Sequence, residues 1–146
     1  MSLLDRLRAD FEQFTFAPDE ICHWSPAKNT IFYRDNDDIE VLHELGHALC
    51  GHQNFDQDVE LLHMERDAWE KAREIAPRYN IEISDDTVES ALDGYRDWLH
   101  QRSLCPNCGQ NGIQNRKNSH YYCINCAHKW NSNDARQCGL QRKTIK

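Results

Sequence analysis

The stretch His43-Glu44-Leu45-Gly46-His47 carries the most specific pattern in this 146-residue chain. Residues four positions apart lie on the same side of an α-helix, so the two histidines can reach one metal ion. A glutamate between them points towards such an ion without binding it and can take a proton from water. The stretch therefore predicts a zinc site on a helix, with His43 and His47 as ligands and Glu44 as a general base.

The residues around this stretch predict the helix itself, from Ile39 to Cys50, with Gly51 as the residue that ends it. On a helical wheel the apolar residues form one stripe, and both histidines lie on a different side. The stripe consists of Val41, Leu42, Leu45, Ala48 and Leu49. Packing in the apolar face therefore does not account for the two histidines. The alternative to a metal site is that both are exposed to solvent.

A catalytic zinc site usually has three protein ligands, and a second predicted helix, from about residue 56 or 58 to 76, offers candidates. These are Glu60, His63 and Glu65. Glu65 falls within the apolar stripe of that helix, whereas His63 falls on its polar side. A carboxylate in an apolar face is costly unless a metal ion, an arginine or a backbone donor compensates it. Glu65 is therefore the predicted ligand, and Glu60 would serve only if the helix began late.

Two segments together resemble a known family of enzymes. They are His43-Glu44-Leu45-Gly46-His47-Ala48-Leu49 and Glu65-Arg66-Asp67-Ala68-Trp69. These segments resemble zincin metallopeptidases of the gluzincin type and look most like the ImmA/IrrE-like group, over about residues 20–80. The resemblance implies hydrolysis of a peptide bond, with His43, His47 and Glu65 as zinc ligands and Glu44 as the base. The chain departs from the family at Trp69, where the family element usually has asparagine.

The same resemblance implies where a substrate binds. In such peptidases a strand just before the active-site helix pairs with the extended substrate, and Asn29-Thr30-Ile31-Phe32-Tyr33 fits that pattern. We therefore expect substrate contacts from Ile31, Phe32 and Tyr33. A further donor normally stabilises the oxyanion of the tetrahedral intermediate. Four side chains are open candidates for that role, namely His23, Tyr33, Tyr79 and Tyr95.

SprT-like proteases offer a second resemblance, because they combine the same histidine motif with a C-terminal zinc ribbon. Their third ligand is a histidine, and His63 is the nearest candidate in this chain. The helical wheel argues against His63, and Met64 follows it where a glycine would be expected. This alternative would make the chain a protease of DNA-associated proteins.

Two C-x-x-C motifs lie near the end of the chain, with fourteen residues between them. They are Cys105-Pro106-Asn107-Cys108 and Cys123-Ile124-Asn125-Cys126. Each motif can present two thiolates, and together they make a closed tetrahedral zinc site with four cysteine ligands. Two disulfides or redox-active pairs are the alternative. The pattern resembles a zinc ribbon with a structural rather than a catalytic metal, and it leaves Cys138 as a free thiol.

The charge of the chain changes sign at about residue 101. Residues 1–100 contain 9 basic and 23 acidic residues, whereas residues 101–146 contain eight basic residues and one acidic residue. A basic cluster interleaved with Tyr121, Tyr122 and Trp130 permits contacts with phosphates and stacking on bases. Nucleic acid, a partner protein and the substrate are therefore candidate ligands of residues 101–146, and a charged tail that only aids solubility is the alternative.

The charge and the cysteines together predict two domains, 1–100 and 101–146, and the predicted helices and hairpin indicate an α+β protein. The gluzincin resemblance implies that the first is a small zincin-like metallopeptidase domain with three or four helices and a short antiparallel sheet. The second is predicted to be a four-cysteine zinc ribbon with a basic tail. Further helices are predicted at 3–16 and from residue 84, and a hairpin from residues 20–24 and 29–33.

No apolar run approaches the roughly 18 residues that a membrane span needs, and residues 1–16 lack the features of a secretory signal. Together with the paired cysteines, this predicts a reducing, cytoplasmic compartment and no membrane partner. The leading hypothesis is an intracellular zinc-dependent endopeptidase with one catalytic and one structural zinc ion, acting on a protein substrate. The rival is a non-catalytic, zinc-stabilised adaptor or nucleic-acid-binding protein, against which the retained Glu44 argues.

Overall fold

Four α-helices and two small sheets make up the part of the chain that the computed structural model describes, residues 1–133 and 140–145. The predicted α+β class is confirmed. The chain divides into two units, one of residues 1–54 and 64–88, the other of residues 55–63 and 89–146. Among the described helices, none is both long enough and apolar enough to cross a bilayer.

The N-terminal helix is shorter than the predicted segment 3–16. Helix α1 spans Leu3–Asp10 and begins after Ser2, whose hydroxyl accepts the backbone N–H of Asp5. The chain then becomes extended and forms strand β1, Thr15–Pro18. The helical spacing of Phe11 and Phe14 was misleading, because the β-branched and aromatic residues that follow favour a strand once a neighbouring strand can pair with them.

The first sheet contains the predicted hairpin and one unpredicted strand. Strands β2, His23–Ser25, and β3, Thr30–Tyr33, pair in antiparallel orientation. Strand β1 pairs with the other edge of β3 in parallel orientation, so the order of strands is β1-β3-β2. The predicted short antiparallel sheet is therefore wrong in one respect, because the sheet is mixed and β3 is its central strand.

The longer helices begin and end close to the predicted residues. Helix α2 spans Asp38–Cys50 and ends at Gly51, whose φ of +69° suits a residue without a side chain. Helix α3 spans Asp58–Ile75 and continues as a 3-10 segment over Ala76–Tyr79. Helix α4 spans Asp85–Ser103. The predicted domain division at residues 100 and 101 therefore falls inside α4, and it stays a prediction.

The core of the first unit is built from α2, α3 and the mixed sheet. Helix α2 packs against β2 and β3. Its predicted apolar stripe is turned inward, with Val41, Leu42, Leu45 and Ala48 buried. Helix α3 contributes Ala68, Trp69, Ala72 and Ile75 to the core. The carboxylate of Glu65 is buried on the same side of α3, as the helical wheel predicted.

The second unit contains what we call the cysteine module, residues 104–133 and 140–145. Its antiparallel sheet has four strands in the order β4 (Ile113–Gln114), β5 (Tyr121–Tyr122), β6 (Lys129–Ser132) and β7 (Arg142–Thr144). Its buried cluster consists of Cys105, Tyr121, Cys123 and Trp130. Cys138 lies outside the described residues.

A buried polar network joins the cysteine module to helix ends within the second unit. The carboxylate of Asp58 accepts hydrogen bonds from the Arg102 guanidinium at 2.8 Å and from the Tyr121 hydroxyl at 2.6 Å. The Trp130 indole N–H donates to the Arg102 carbonyl at 3.0 Å. A buried ion pair is tolerated when further hydrogen bonds satisfy its remaining atoms, and this one meets that condition. Residues 55–63 are thereby part of the second unit, although the sequence alone assigned them to the first domain.

Candidate metal centre

Three predicted ligands from two helices come together in the first unit. The Nε2 atom of His43 lies 2.9 Å from Oε2 of Glu65, and Nε2 of His47 lies 3.1 Å from Oε1 of the same carboxylate. The exposed fractions of the three residues are 7%, 8% and 5%, for His43, His47 and Glu65 respectively. Two imidazoles and one carboxylate thus share a single buried space, as the sequence predicted.

The chemistry and spacing of these donor atoms fit a zinc ion. Zinc takes nitrogen and carboxylate oxygen ligands at about 2.0–2.2 Å in tetrahedral sites, which separates neighbouring ligand atoms by about 3.3 Å. The observed separations of 2.9 and 3.1 Å end on the two different oxygens of Glu65, and one donor atom from each of the three residues lies within 4.8 Å of the others. Since three ligands fill three corners of a tetrahedron, one corner is left for water or substrate, as in catalytic rather than structural sites.

A glycine lets the two helices approach closely enough to build this site. A Cβ atom at residue 46 would overlap the carbonyl oxygen of Ala68, so only glycine fits where α2 meets α3. Gly46 lies between the two histidines in the helix of the motif, and Ala68 lies one turn after Glu65. The close approach of the two backbones therefore places the Glu65 carboxylate against both imidazoles.

Both histidines have a second partner that orients the ring. The Nδ1 atom of His43 faces Oε2 of Glu40 at 3.4 Å, and Nδ1 of His47 lies 2.9 Å from Nδ1 of His52. A hydrogen bond at Nδ1 fixes the tautomer that leaves Nε2 free to bind a metal. Glu40 and His52 therefore support the arrangement in which both Nε2 atoms face Glu65.

His52 follows Gly51, the residue that ends α2, and contacts the His47 ring. Its side chain is half-buried, and its carbonyl accepts the Trp24 indole N–H at 3.0 Å. Burial and the neighbouring His47 lower the pKa of His52, which favours the neutral ring. One signal in the sequence indicated that His52 could contact His47, namely its position just after Gly51. A left-handed residue there turns the chain back over the end of the helix. Cys50, the last residue of α2, is exposed.

Glu44 is held beside the ligands by a strand. Its Oε2 atom accepts the backbone N–H of Trp24 in β2 at 2.9 Å, and its Oε1 atom lies 3.6 Å from Nδ1 of His43. Burial raises the pKa of Glu44 above its ordinary value, and this effect outweighs the attraction of the two histidines. A carboxylate of raised pKa is well suited to accept and return a proton near neutral pH.

The side chains of this cluster also shift one another's pKa values. Burial disfavours charge on His43, but hydrogen bonds to Glu40 and Glu65 outweigh it and raise the pKa of His43 to about 9. Burial likewise opposes charge on Glu65, and hydrogen bonds from His43 and His47 lower its pKa to about 2. The carboxylate is therefore ionised across the neutral range, which is the form that binds a metal.

Trp69 orients the His43 ring by direct contact. Its ring stacks on the His43 imidazole, with centroids 4.1 Å apart and planes at 9°. Trp69 is buried, and it holds the ligand ring by contact with its face rather than by a hydrogen bond. An asparagine at this position could not supply that stacking contact, so the ring orientation is fixed here by packing.

Some predicted residues are not brought to the centre. His63 is exposed and belongs to none of the clusters of metal-binding side chains found among the described residues. Glu60 accepts the backbone N–H of Asp56 at 3.0 Å. Among the proposed oxyanion donors, Tyr79 donates its hydroxyl to Asp10 at 2.7 Å. These side chains therefore have other partners or environments.

The expected pairing of substrate with Ile31, Phe32 and Tyr33 needs correction. These residues belong to β3, which is the central strand and already pairs with β1 on one side and β2 on the other. Its backbone donors and acceptors are therefore engaged, and Ile31 and Tyr33 are buried. Strand β2 is an edge strand of this sheet, and its Trp24 N–H donates to Glu44.

The four predicted cysteines form a second cluster in the cysteine module. The Sγ atoms of Cys105 and Cys126 are 3.6 Å apart, and those of Cys108 and Cys123 are 3.4 Å apart. Thiolates about 2.3 Å from a tetrahedral zinc ion would be separated by about 3.8 Å, so the cluster fits zinc. None of these four cysteines forms a disulfide. A metal site with four cysteine ligands is therefore consistent with the structure, and disulfides are not.

The two C-x-x-C motifs have the same backbone turn. Gly109 N–H donates to the Cys105 carbonyl at 2.9 Å, and Ala127 N–H donates to the Cys123 carbonyl at 2.8 Å. Both donors are in the left-handed region, with φ of +78° and +63°. N–H groups of Gln110 and of the Asn125 side chain donate to Cys108 and lower its thiol pKa to about 6. Such donors favour the thiolate that binds a metal.

Comparison with known proteins gives no relative for this chain. No family model, no curated protein and no solved structure matches it.

Proposed function

We propose that this chain is a zinc-dependent endopeptidase whose catalytic ion is held by His43, His47 and Glu65. The observation that carries the proposal is the convergence of these side chains beside Glu44. Three protein ligands would leave one corner of a tetrahedron open to water or substrate. The resemblance to gluzincins of the ImmA/IrrE-like group agrees with it. The four-cysteine cluster would hold a second, structural zinc ion.

The chemistry follows from the positions of these residues. A bound zinc ion would supply Lewis acidity, polarising the scissile carbonyl and lowering the pKa of a water molecule. Glu44 would accept a proton from that water and pass it to the leaving amine. The Trp24 N–H keeps the Glu44 carboxylate in place, while Glu40 and His52 keep the two imidazoles in the ligating tautomer.

The open edge of β2 is the place where an extended substrate would pair. The Trp24 N–H points away from β3 towards Glu44, and the C=O of the same residue lies on the same side of the strand. A peptide that adds as a further strand would therefore use the Trp24 carbonyl as an acceptor. Such pairing would bring the scissile bond near Glu44 without using β3.

Glu44→Gln tests the proposal. The zinc-loaded chain should cleave a mixture of quenched fluorescent peptides of random sequence, and the variant should lose about 10²–10⁴-fold in kcat/KM. Zinc content should stay at two ions per chain, since Glu44 is not a ligand. Glu70→Gln, an exposed change on α3, is the matched control and should leave kcat/KM unchanged. Equal cleavage by the Glu44 variant would refute the assigned base, and a zinc-loaded wild-type chain inactive on all peptides would favour the adaptor.

Glu65→Ala should remove the catalytic zinc, because two histidines alone leave two corners of the tetrahedron without protein ligands. Atomic emission on dialysed protein should then find one zinc ion per chain instead of two. His63→Ala is the matched control on the same helix and should retain both ions, since His63 is exposed. Loss of one zinc ion from the His63 variant but not from the Glu65 variant would identify His63 as the third ligand and support the SprT-like alternative.

A further inference from the structure

One face of the sheet in the cysteine module is exposed and bears both basic and aromatic side chains. Ile113 lies opposite Tyr122, Tyr122 lies opposite Lys129, and Asn131 lies opposite Lys143 in the strand register. Directly opposed residues share a face, as do residues two apart in one strand. These five side chains therefore form one surface, which we call the outer face, and all five are exposed.

The other side of the same sheet holds this surface rigid. Tyr121 and Trp130, which alternate with the outer-face residues, are buried and stack with ring centroids 5.5 Å apart. Tyr121 is further fixed by its hydrogen bond to Asp58. The exposed ring of Tyr122 is thus carried by an ordered strand, although 43% of the residue's surface is open to solvent. An exposed ring on an ordered strand is suited to stacking on a ligand rather than to packing in a core.

The net positive charge of the cysteine module favours a polyanion as its ligand. The described residues of the cysteine module contain five basic residues and no Asp or Glu. They are Arg116, Lys117, Lys129, Arg142 and Lys143. A zinc ion with four thiolates carries a charge of −2, which leaves an excess of +3. Two of the basic residues, Lys129 and Lys143, lie on the outer face itself.

A cleft beside Tyr122 adds groups that can hydrogen-bond a base. Its volume is about 320 Å³, and it is lined by Asn115, Asn118, His120, Tyr121, Tyr122 and Lys129. The Oδ1 atoms of both asparagines accept backbone N–H groups, from Lys117 at 2.8 Å and from His120 at 3.0 Å. Their amide NH2 groups remain as donors beside the exposed ring. Amide donors next to an aromatic platform suit the edge of an unpaired base.

We propose that the outer face binds single-stranded nucleic acid, with a base stacked on Tyr122 and phosphates contacting Lys129 and Lys143. A base can stack on Tyr122 only when it is not paired and stacked within a duplex, which favours a single strand over a double helix. An acidic protein would contact the lysines, but its carboxylates would not stack on the Tyr122 ring as a base does. This inference is independent of the peptidase activity.

Fluorescence anisotropy of the full-length, zinc-loaded chain with labelled dT20 and rU20 tests the proposal. Affinity should fall as salt rises, with a slope of log K against log salt of about −0.7 for each phosphate contacted. Tyr122→Ala should weaken binding by about 5- to 150-fold, the range measured for loss of one stacked base. Tyr122→Phe, which keeps the ring, should restore binding close to that of the wild-type chain.

The lysines are tested through the salt slope. The double variant Lys129→Ala/Lys143→Ala should make the slope less steep by about 1.4, because two phosphate contacts are lost. Lys71→Ala, on α3, is the control and should leave both affinity and slope unchanged. Every variant should retain the wild-type zinc content. A flat salt response, wild-type binding by Tyr122→Ala, or equal competition by poly-L-glutamate would overturn the proposal.

Discussion

Replacing Cys123 with serine is expected to remove one zinc ion per chain and to unfold the cysteine module. Cys123 is fully buried, and its sulfur faces that of Cys108 at 3.4 Å. Among the described residues of the module, the buried cluster contains two large side chains, Tyr121 and Trp130, besides the cysteines. In small zinc modules the metal contributes about 10–16 kcal/mol, which equals or exceeds the stability of a whole domain. The remaining core cannot replace a contribution of that size.

Atomic emission and amide NMR spectra would measure this effect. Zinc should fall from two ions to one, and the amide signals of residues 104–133 should collapse towards random-coil positions. Cys50→Ser is the matched control, because Cys50 is an exposed thiol outside both metal clusters. Dispersed signals and two zinc ions in the Cys123 variant would show that the four sulfurs do not share a structural metal.

Gly46→Ala is expected to disrupt the histidine centre although it alters no ligand. The added methyl group would overlap the Ala68 carbonyl oxygen, and neither backbone can yield without moving a helix. Overpacking of this kind costs about 1–3 kcal/mol and occasionally more. Because Glu65 lies one turn before Ala68, moving α3 away would also withdraw its carboxylate from the two imidazoles. We therefore expect a lower melting temperature together with loss of one zinc ion.

Gly94→Ala provides the opposite outcome for comparison. A Cβ at Gly94 would meet nothing within 4 Å, and the residue lies inside helix α4. Alanine is favoured over glycine in a helix by about 0.5–1 kcal/mol, so Tm should rise by a few degrees. Thermal unfolding followed by circular dichroism separates the two cases. A Gly46 variant as stable as the Gly94 variant would show that the helices do not meet as described.

Local patterns allowed the candidate metal-binding side chains, and the helices that carry His43, His47 and Glu65, to be predicted. The i, i+4 spacing of His43 and His47 and the place of Glu65 in an apolar stripe depend only on helical periodicity. The two C-x-x-C motifs likewise carry their geometry within four residues each. These features can be predicted from the sequence because the residues that come into contact are either close along the chain or related by the helical repeat.

The sheet was harder to predict, because its order depends on residues distant in sequence. The hairpin of β2 and β3 was recognised from its short connection, but β1 was assigned to a helix. That error hid the central position of β3 and misplaced the expected substrate contacts at Ile31, Phe32 and Tyr33. Whether a strand is central or at an edge is decided by what pairs with it, and periodicity contains no such information.

The residues that orient the ligands were also missed. Glu40 and His52 face the Nδ1 atoms of the two histidines, and the Trp24 N–H holds Glu44. A backbone N–H has no signature in a sequence, and a single histidine after a helix end resembles any exposed polar residue. Gly46 stands within the histidine motif, but its close approach to the backbone of Ala68 could not be predicted from the sequence.

The amino-acid sequence by itself therefore determined which side chains can bind metal and which helix or turn presents each of them, since regular backbone geometry fixes neighbours up to four residues away. Tertiary structure alone decided that Glu65 reaches both imidazoles, that Glu44 is held by β2, and that the outer face is open. Those outcomes depend on how closely packed elements approach one another, which the volume and shape of many side chains set together.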